Sequence, residues 1–385
     1  MSENHEEKKA RQKAAKIRAS EKARAKPSRT RLDVEDWERW ELDALPQRQQ
    51  RAERRTEPLG KIVDRLRAES AEAAAESKVD ERLAGEGLVV SITRGQCEVE
   101  LEGASLVCHV PKALALTQQT DLAVGDRVTV SRRPGGALAV SSILPRTSRL
   151  SRPDPFLAHR ERVIAANLDL AIVVVSLRKP PLSPGLIDRF LVALAHGGVA
   201  AAIAVNKVDL ADEPREEDPE LELLAPYRDL ETPLVPCSGK TGEGIAELAA
   251  LLAGRTAVLV GHSGVGKSSL LAALAPEIDV RVGEVSEHWG KGRHTTTRSR
   301  IYDLGGGTRL IDTPGIREFG LWKLEPAELA LYFDEFEEPA ASCRFNDCTH
   351  SHEPACAVRA AAESGAIPPE RYAAYLRILE SLQAG

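Results

Sequence analysis

The chain has 385 residues and a formal net charge of −6, a length that accommodates two or three domains, each able to bury a core. No apolar run approaches a membrane span, and no apolar segment follows the basic N-terminus, so neither a membrane protein nor a secretory signal is expected. Six cysteines, three of them clustered near a histidine, suit a metal site in a reducing compartment rather than a disulfide framework, and the expected location is the cytoplasm.

Residues 1–82 read as a charged, basic extension, largely disordered or locally helical. Between Lys8 and Arg31 eleven Lys or Arg stand against the single acid Glu21, a block that is solvated by default and also suits a polyanion. Stretches such as Ser70–Glu76 are Ala-rich enough for helix, but large apolar side chains are too few for an independent core. Trp37 and Trp40 are three apart, which would put both on one helical face.

From residue 83 to 147 the texture changes to short alternating strands. Leu88–Ile92, Gln96–Leu101, Ser105–Val110, Arg127–Val130 and Ala137–Val140 are separated by Gly95, Gly103, Gly125-Asp126 and Pro134-Gly135-Gly136. Five strands in about sixty residues predict a small closed barrel of the oligonucleotide-binding type. Arg94, Arg132 and Arg133 near the turns favour nucleic-acid contact. With few aromatic residues between them, contact with backbone and shape is expected rather than base stacking.

Residues 148–322 carry a different pattern, entered through the linker Arg146–Pro153. Leu170–Val175, Ala201–Val205, Leu234-Val235 and Val258–Val260 are nearly continuous apolar runs with helical patterns such as Leu186–Leu194 between them. That is the signature of a parallel sheet covered on both faces. Arg300–Leu304 and Thr308–Ile311, around Gly305–Gly307, read as a hairpin added to it.

Within this α/β region, Gly261-His262-Ser263-Gly264-Val265-Gly266-Lys267-Ser268-Ser269 fits G-x-x-x-x-G-K-[ST]. Strand Thr256–Val260 precedes it and helix Leu270–Leu274 follows, the context this phosphate-binding motif needs. Bare backbone N–H groups must reach phosphate oxygens, so a Cβ at Gly264 or Gly266 would obstruct the turn. Lys267 supplies charge to the β- and γ-phosphates, the Ser268 hydroxyl is placed for Mg2+, and the helix N-terminus adds partial positive charge.

Guanine is the expected base. Asn206-Lys207-Val208-Asp209 stands at a strand's carboxyl end, where side chains face the ligand crevice. The Asp209 carboxylate accepts from N1–H and the exocyclic amine of guanine together; adenine offers no such donor pair. The Asn206 amide can reach the other base edge and the Lys207 stem can cover the ring. Ser238-Gly239-Lys240, after Leu234-Val235, can close its backbone around the guanine oxygen. Downstream, Asp312-Thr313-Pro314-Gly315 should hold Mg2+ through water at Asp312 and sense the γ-phosphate at the Gly315 N–H. In the polar loop Lys291–Arg298, Thr296 or Thr297 is the expected Mg2+ ligand. Base-reading motifs thus precede the phosphate loop, the reverse of the usual order, so the domain is circularly permuted. The segment after Asp312 leads straight into the last domain, residues 323–385, and can pass nucleotide-dependent movement to it.

That domain contains Cys343, Cys348, His350 and Cys356 within fourteen residues, a Cys3His set for tetrahedral zinc. His352 competes with His350, and chemistry alone does not choose between them. Four protein ligands make the metal structural, holding a short segment together. Pro368–Leu382 reads as a terminal helix packed on it.

These residues together resemble the ribosome small-subunit-dependent GTPase A family. The resemblance runs from about Leu88 to the C-terminus. It is carried by Arg149–Pro153, Ala165–Asp169, Asn206–Asp209, Gly264–Ser269, Gly292–Thr297, Asp312–Gly315 and the Cys/His spacing. It implies an N-terminal oligonucleotide-binding barrel, a permuted GTPase and a C-terminal α-helical zinc domain that uses His350. It also implies a monomeric, cytoplasmic GTP hydrolase that binds the small ribosomal subunit and its rRNA near the decoding centre. Subunit-stimulated hydrolysis and GTP-linked release late in subunit maturation follow from it; a DNA partner is not expected, and without a lipid anchor or a basic amphipathic helix with large apolar residues neither is a membrane partner. Residues 1–82 exceed the family pattern. Ile316 occupies a position where many GTPases place a water-orienting glutamine, so unaided hydrolysis is expected to be slow, and His294 is the candidate for the missing polar group. With Lys267, Thr296 and Thr297 it completes the expected catalytic set. The competing reading is a GTP-gated RNA-binding module whose hydrolysis is incidental.

Overall fold

The computed structural model describes residues 82–93, 95–111, 114, 121–133, 136–153, 161–212, 214–228, 230–276, 299–312, 321 and 323–383. The basic extension with Trp37 and Trp40, Arg94, and the switch-loop residues His294, Thr296, Thr297, Gly315 and Ile316 lie outside them.

The first five strands are β1 (Arg82–Thr93), β2 (Gln96–Leu101), β3 (Ala104–His109), β4 (Arg127–Arg132) and β5 (Leu138–Ile143). They close on themselves in the order β1-β2-β3-β5-β4 with β4 returning to β1. All these pairings are antiparallel except β3–β5, which is parallel through His109↔Ala139. This is the expected barrel. Closure depends on the length of β1, whose first half pairs with β4 and whose second half pairs with β2. Gly87 sits where the strand passes between partners, and a Cβ there would lie 2.4 Å from Val99 Cγ1 and 2.7 Å from the Glu100 carbonyl oxygen. Val89, Cys97, Val99, Cys108, Val128, Val130 and Val140 fill the interior.

Two further strands follow, β6 (Arg149–Pro153), which the sequence reading treated as part of a linker, and β7 (Glu161–Ala166), which it did not assign; they form an antiparallel ribbon. The polar Arg-Leu-Ser-Arg-Pro run of β6 offers too short an apolar alternation to read as a strand. Leu150 of β6 and Val163 and Ala165 of β7 are buried, with Leu150 opposite Ala165.

The remaining strands are β8 (Leu170–Ser176), β9 (Ala200–Asn206), β10 (Leu234–Pro236), β11 (Thr256–Val260), β12 (Arg300–Asp303) and β13 (Arg309–Asp312). The order β10-β9-β8-β11-β13 is parallel throughout, and β12 adds as the antiparallel arm of the expected hairpin. Every residue of β8 is buried, as a central strand covered on both faces requires. Ala171, Val173 and Val175 face one core with Ile187 and Phe190, while Leu170, Ile172 and Val174 face the other with Leu248 and Leu270. The covering helices are α1 (Pro184–His196), α2 (Ile245–Leu252) and α3 (Lys267–Leu274). At the far edge β1 pairs with β12 at Ser91↔Arg300, so barrel and α/β sheet form one eleven-stranded sheet among the described residues.

The last segment is helical: short 3-10 turns lead to α4 (Ala357–Ser364) and α5 (Pro369–Gln383). Phe333, Phe336 and Tyr375 make its aromatic core, into which Val192 of α1 also packs. Arg371 of α5, 3% exposed, donates to Asp188 of α1 at 2.5 Å and to Glu335 at 2.6 Å, with its plane 4.7 Å from the Phe333 ring centroid. A buried cation is tolerable only when paired in this way. No helix of the described residues is long and apolar enough to cross a membrane.

Candidate functional site

The loop from Gly261 to Ser269 joins β11 to α3, and Gly266, at φ +97°, is the helix N-cap. A Cβ on Gly266 would stand 2.2 Å from Asn206 Nδ2, so the glycine lets the end of β9 reach this loop. Val265 is buried and anchors the loop, while Ser263, Gly264, Ser268 and Ser269 are exposed. The Lys267 ammonium donates to the Gly261 and His262 carbonyls at 2.7 and 2.9 Å, which holds its charge across the loop's mouth. His262 Nδ1 lies 3.1 Å from the Ser263 carbonyl oxygen.

The two segments expected to read the base meet this loop. Asn206, 2% exposed, donates through Nδ2 to the Val265 carbonyl at 2.8 Å and accepts from the Gly239 N–H at 3.1 Å. The amide thereby ties the phosphate loop to the Ser238–Lys240 loop, using one of its two Nδ2 hydrogens. Lys207, in left-handed conformation at φ +65°, donates to the Gly264 carbonyl at 2.6 Å and to that of Lys179. Burial pushes its ammonium below the usual lysine pKa. Val208 and Asp209 lie on a 3-10 turn, Val208–Leu210. The buried Ser238 hydroxyl donates to Asp209 Oδ1 at 2.7 Å and accepts from the Lys240 and Thr241 N–H groups, both at 3.2 Å. The carboxylate is thereby aimed before any ligand arrives, which is how a site gains selectivity without reorganisation. Lys240 itself is exposed, its Nζ 3.9 Å from Asp209 Oδ2.

Asp312 ends β13, beside β11 in the sheet. Burial raises its pKa and the Lys267 charge opposes that rise, so a cation near this carboxylate would favour its ionised form. The Ser268 hydroxyl, in the first turn of α3, is the other described candidate for Mg2+.

The second centre is the Cys/His cluster. One donor atom from each of Cys343, Cys348, His350 and Cys356 lies within 4.8 Å of all the others. His350 Nδ1 is 3.6 Å from Cys343 Sγ and 3.5 Å from Cys356 Sγ, against a tetrahedral S···N edge of about 3.6 Å for ordinary zinc bond lengths. The Cys343–Cys356 Sγ separation is 4.0 Å, against an edge of about 3.8 Å. The donor set fits zinc. His352 stands outside, its ring largely exposed and bonded to Ser351 Oγ at 2.9 Å. Supports the sequence did not reveal surround the ligands. Tyr372 and Tyr375 donate to the carbonyls of His350 and Thr349 at 2.7 and 2.6 Å. The Arg359 N–H, at the start of α4, donates to Cys356 Sγ at 3.4 Å. Glu353 accepts from the Thr349, Ser351 and His352 N–H groups, and although burial opposes it, the bonds from the Thr349 hydroxyl and N–H bring its carboxyl down to about 2.

Comparison with known proteins agrees with this arrangement. Residues 143–322 match the family described as RsgA GTPase. The chain is 41% identical over 329 residues to the small ribosomal subunit biogenesis GTPase RsgA of Azotobacter vinelandii, covering 83% of this chain and 95% of that one. It is 41% identical over 330 residues to the protein of that name from Pseudomonas fluorescens (strain Pf-5), with the same coverage. Among solved structures, YjeQ from Thermotoga maritima superimposes with a TM-score of 0.62 at 33% identity, over 78% of this chain and 99% of YjeQ. YloQ, described as a circularly permuted GTPase, gives 0.60 at 26% identity, over 79% and 96%.

Proposed function

Since the chain belongs to the RsgA GTPase family, we propose that it is a GTP hydrolase acting in small ribosomal subunit maturation, with turnover stimulated by the subunit and its rRNA. The observation that supports this most directly is the bridge made by Asn206. It joins the phosphate loop at Val265 to the base loop at Gly239, so a guanine reader and a phosphate cradle that lie in reversed sequence order act as one site.

In this reading Asp209 selects guanine through two accepted hydrogen bonds, and the Ser238–Lys240 backbone closes on the base oxygen. Backbone N–H groups from His262 to Ser269 hold the phosphates, and Lys267 meets the charge that develops on the β–γ bridge as it breaks. Ser268 and Asp312, with Thr296 or Thr297 from the switch loop, would hold Mg2+, which supplies charge neutralisation at the phosphates when bound. The Gly315 N–H reads the γ-phosphate. Cys343, Cys348, His350 and Cys356 would hold a structural zinc that organises the last domain.

Ile316 has no hydrogen-bonding group for the attacking water, so intrinsic turnover is slow. His294 supplies the polar group when the subunit is docked. The test is GTP turnover by the full chain with small subunits, with large subunits, and alone. Small subunits selectively raise wild-type turnover, and His294→Ala lowers the stimulated rate about 10^2-fold or more while leaving the basal rate within about twofold. Equal turnover in all three conditions would remove the ribosomal assignment; an unchanged stimulated rate in His294→Ala would remove the histidine. A protein whose subunit binding depends on GTP but whose function survives loss of hydrolysis would instead be a nucleotide-gated RNA-binding module.

A further inference from the structure

The guanidinium of Arg178 belongs to none of the nucleotide motifs, yet the fold places it against the loop that carries Asp209. Arg178 stands in the turn just after β8. Its Nη1 donates to the Leu210 carbonyl at 2.8 Å, the last residue of the 3-10 turn that holds Asp209. The same group grips Asp212 in bidentate fashion, at 2.8 and 2.6 Å. It reaches Asp218 at 2.8 Å and Glu220 at 3.1 Å. Asp218 has a fully buried side chain and in turn accepts from the Asp212 N–H at 2.7 Å and the Glu220 N–H at 2.9 Å.

Asp209 therefore sits on a three-residue turn held at both ends. On the N-terminal side, Asn206 and Lys207 fasten the chain to the phosphate loop. On the C-terminal side, one cation draws together a backbone carbonyl and three carboxylates. Without that cation Asp212, Asp218 and Glu220 repel one another, and the segment leaving the turn loses the contacts that fix its direction. The neighbouring residues of the same turn touch the site as well. The Lys179 carbonyl accepts from Lys207, and a Cβ on Gly264 would be 3.6 Å from Pro180 Cδ.

We propose that Arg178 is a positioning residue for guanine selection, fixing the Val208–Leu210 turn so that the Asp209 carboxylate accepts from both donors of the base. The inference rests on the assignment of Asp209 as the base reader. A fork-shaped guanidinium is required, because a lysine at this position keeps the charge but cannot bind Asp212 twice while also reaching Leu210. An ion cluster of purely structural role would change stability without changing which base is preferred.

The experiment compares GDP with IDP, which lacks the exocyclic amine and so loses one of the two bonds to Asp209. Each displaces a fluorescent GDP analogue from the full-length wild type, Arg178→Lys, Arg178→Ala and Asp209→Asn. The GDP/IDP affinity ratio falls about threefold to tenfold in Arg178→Lys and further in Arg178→Ala, while the Lys variant keeps the wild-type thermal midpoint within about 2 °C. An unchanged ratio in the folded Lys variant, or an equal loss of GDP and IDP affinity, overturns the proposal. If Arg178→Ala does not fold, the Lys variant decides alone. Asp209→Asn separates the two levels: a ratio unchanged there rejects Asp209 as the base reader, and the Arg178 inference with it. A ratio that collapses in Asp209→Asn and holds in Arg178→Lys rejects Arg178 only.

Discussion

At Gly266 a single hydrogen atom decides whether the two halves of the nucleotide site can touch. Any side chain there would have to occupy the space of Asn206 Nδ2, 2.2 Å from the ideal Cβ position, and would do so at φ +97°. Gly266→Ala is accordingly expected to weaken GDP binding about 100-fold, and titration with a fluorescent nucleotide measures it. Asp218 makes a pH prediction. Burial alone would raise its pKa, but the Asp212 and Glu220 N–H groups and Arg178 bring it below the ordinary carboxylate value. A depressed folded pKa contributes stability that is present above the unfolded value, about 3.9, and is lost as pH falls through the folded one. Asp218→Asn should therefore flatten the dependence of thermal stability on pH below about 4, seen as a smaller loss of melting temperature on acidification. Much of the site was legible from spacing, since G-x-x-x-x-G-K-[ST] and N-K-x-D state their own geometry. Asn206 was legible as a site residue, but its tie to Val265 and Gly239 was not, because those partners lie 59 and 33 residues away in the sequence. Arg178 carried no signal, because its carboxylate partners lie 34 to 42 residues downstream and only the fold collects them.

Elements show the same division. The strands of the barrel and the parallel sheet announced themselves by alternation and by unbroken apolar runs. The β6–β7 ribbon did not, since its apolar side chains are shared between two polar segments and its register shifts between Leu150 and Ser151. For the metal loop, chemistry left His350 and His352 open. What distinguishes them is the backbone: His350, at φ +57°, turns its ring toward Phe336 and Tyr375. Two predictions belong here. Gly87→Val would drive a branched side chain into Val99 and the Glu100 carbonyl, costing the barrel about 1–3 kcal/mol in denaturant unfolding. Cys356→Ser removes a ligand but leaves a serine, itself a good N-cap, at the start of α4. If the cluster holds zinc, metal analysis should find it in the wild type and not in the purified variant, and the near-ultraviolet signal of the aromatic core around Phe333, Phe336 and Tyr375 should collapse.

Among the described residues the barrel is fastened to the edge of the α/β sheet and the last domain to the covering helix α1. The barrel joins its edge through β1 and β12, reinforced by Arg309 donating to Glu100 at 2.8 Å. The helical domain is fastened to α1 by Arg371, Asp188 and the Tyr332 hydroxyl, which lies 2.9 Å from His196 Nδ1. Arg371→Ala leaves Asp188, 2% exposed, without its cation and should cost about 3–5 kcal/mol. The expected sign is that the helical domain becomes susceptible to limited proteolysis before the nucleotide domain does.

The strand order also sets a timetable for synthesis. By Ile143 the ribosome has made all five barrel strands, and their pairing needs nothing that comes later. The nucleotide sheet is different, because β13, the last of its strands to be made, belongs between β11 and β12. Until Arg309–Asp312 has left the exit tunnel, the growing chain has a finished barrel and a sheet with its interior strand missing. Domains that fold as units do so as soon as their parts are available. The nascent protein thus gains its barrel well before it can hold a nucleotide properly, and becomes a complete switch only in the last fifth of its translation.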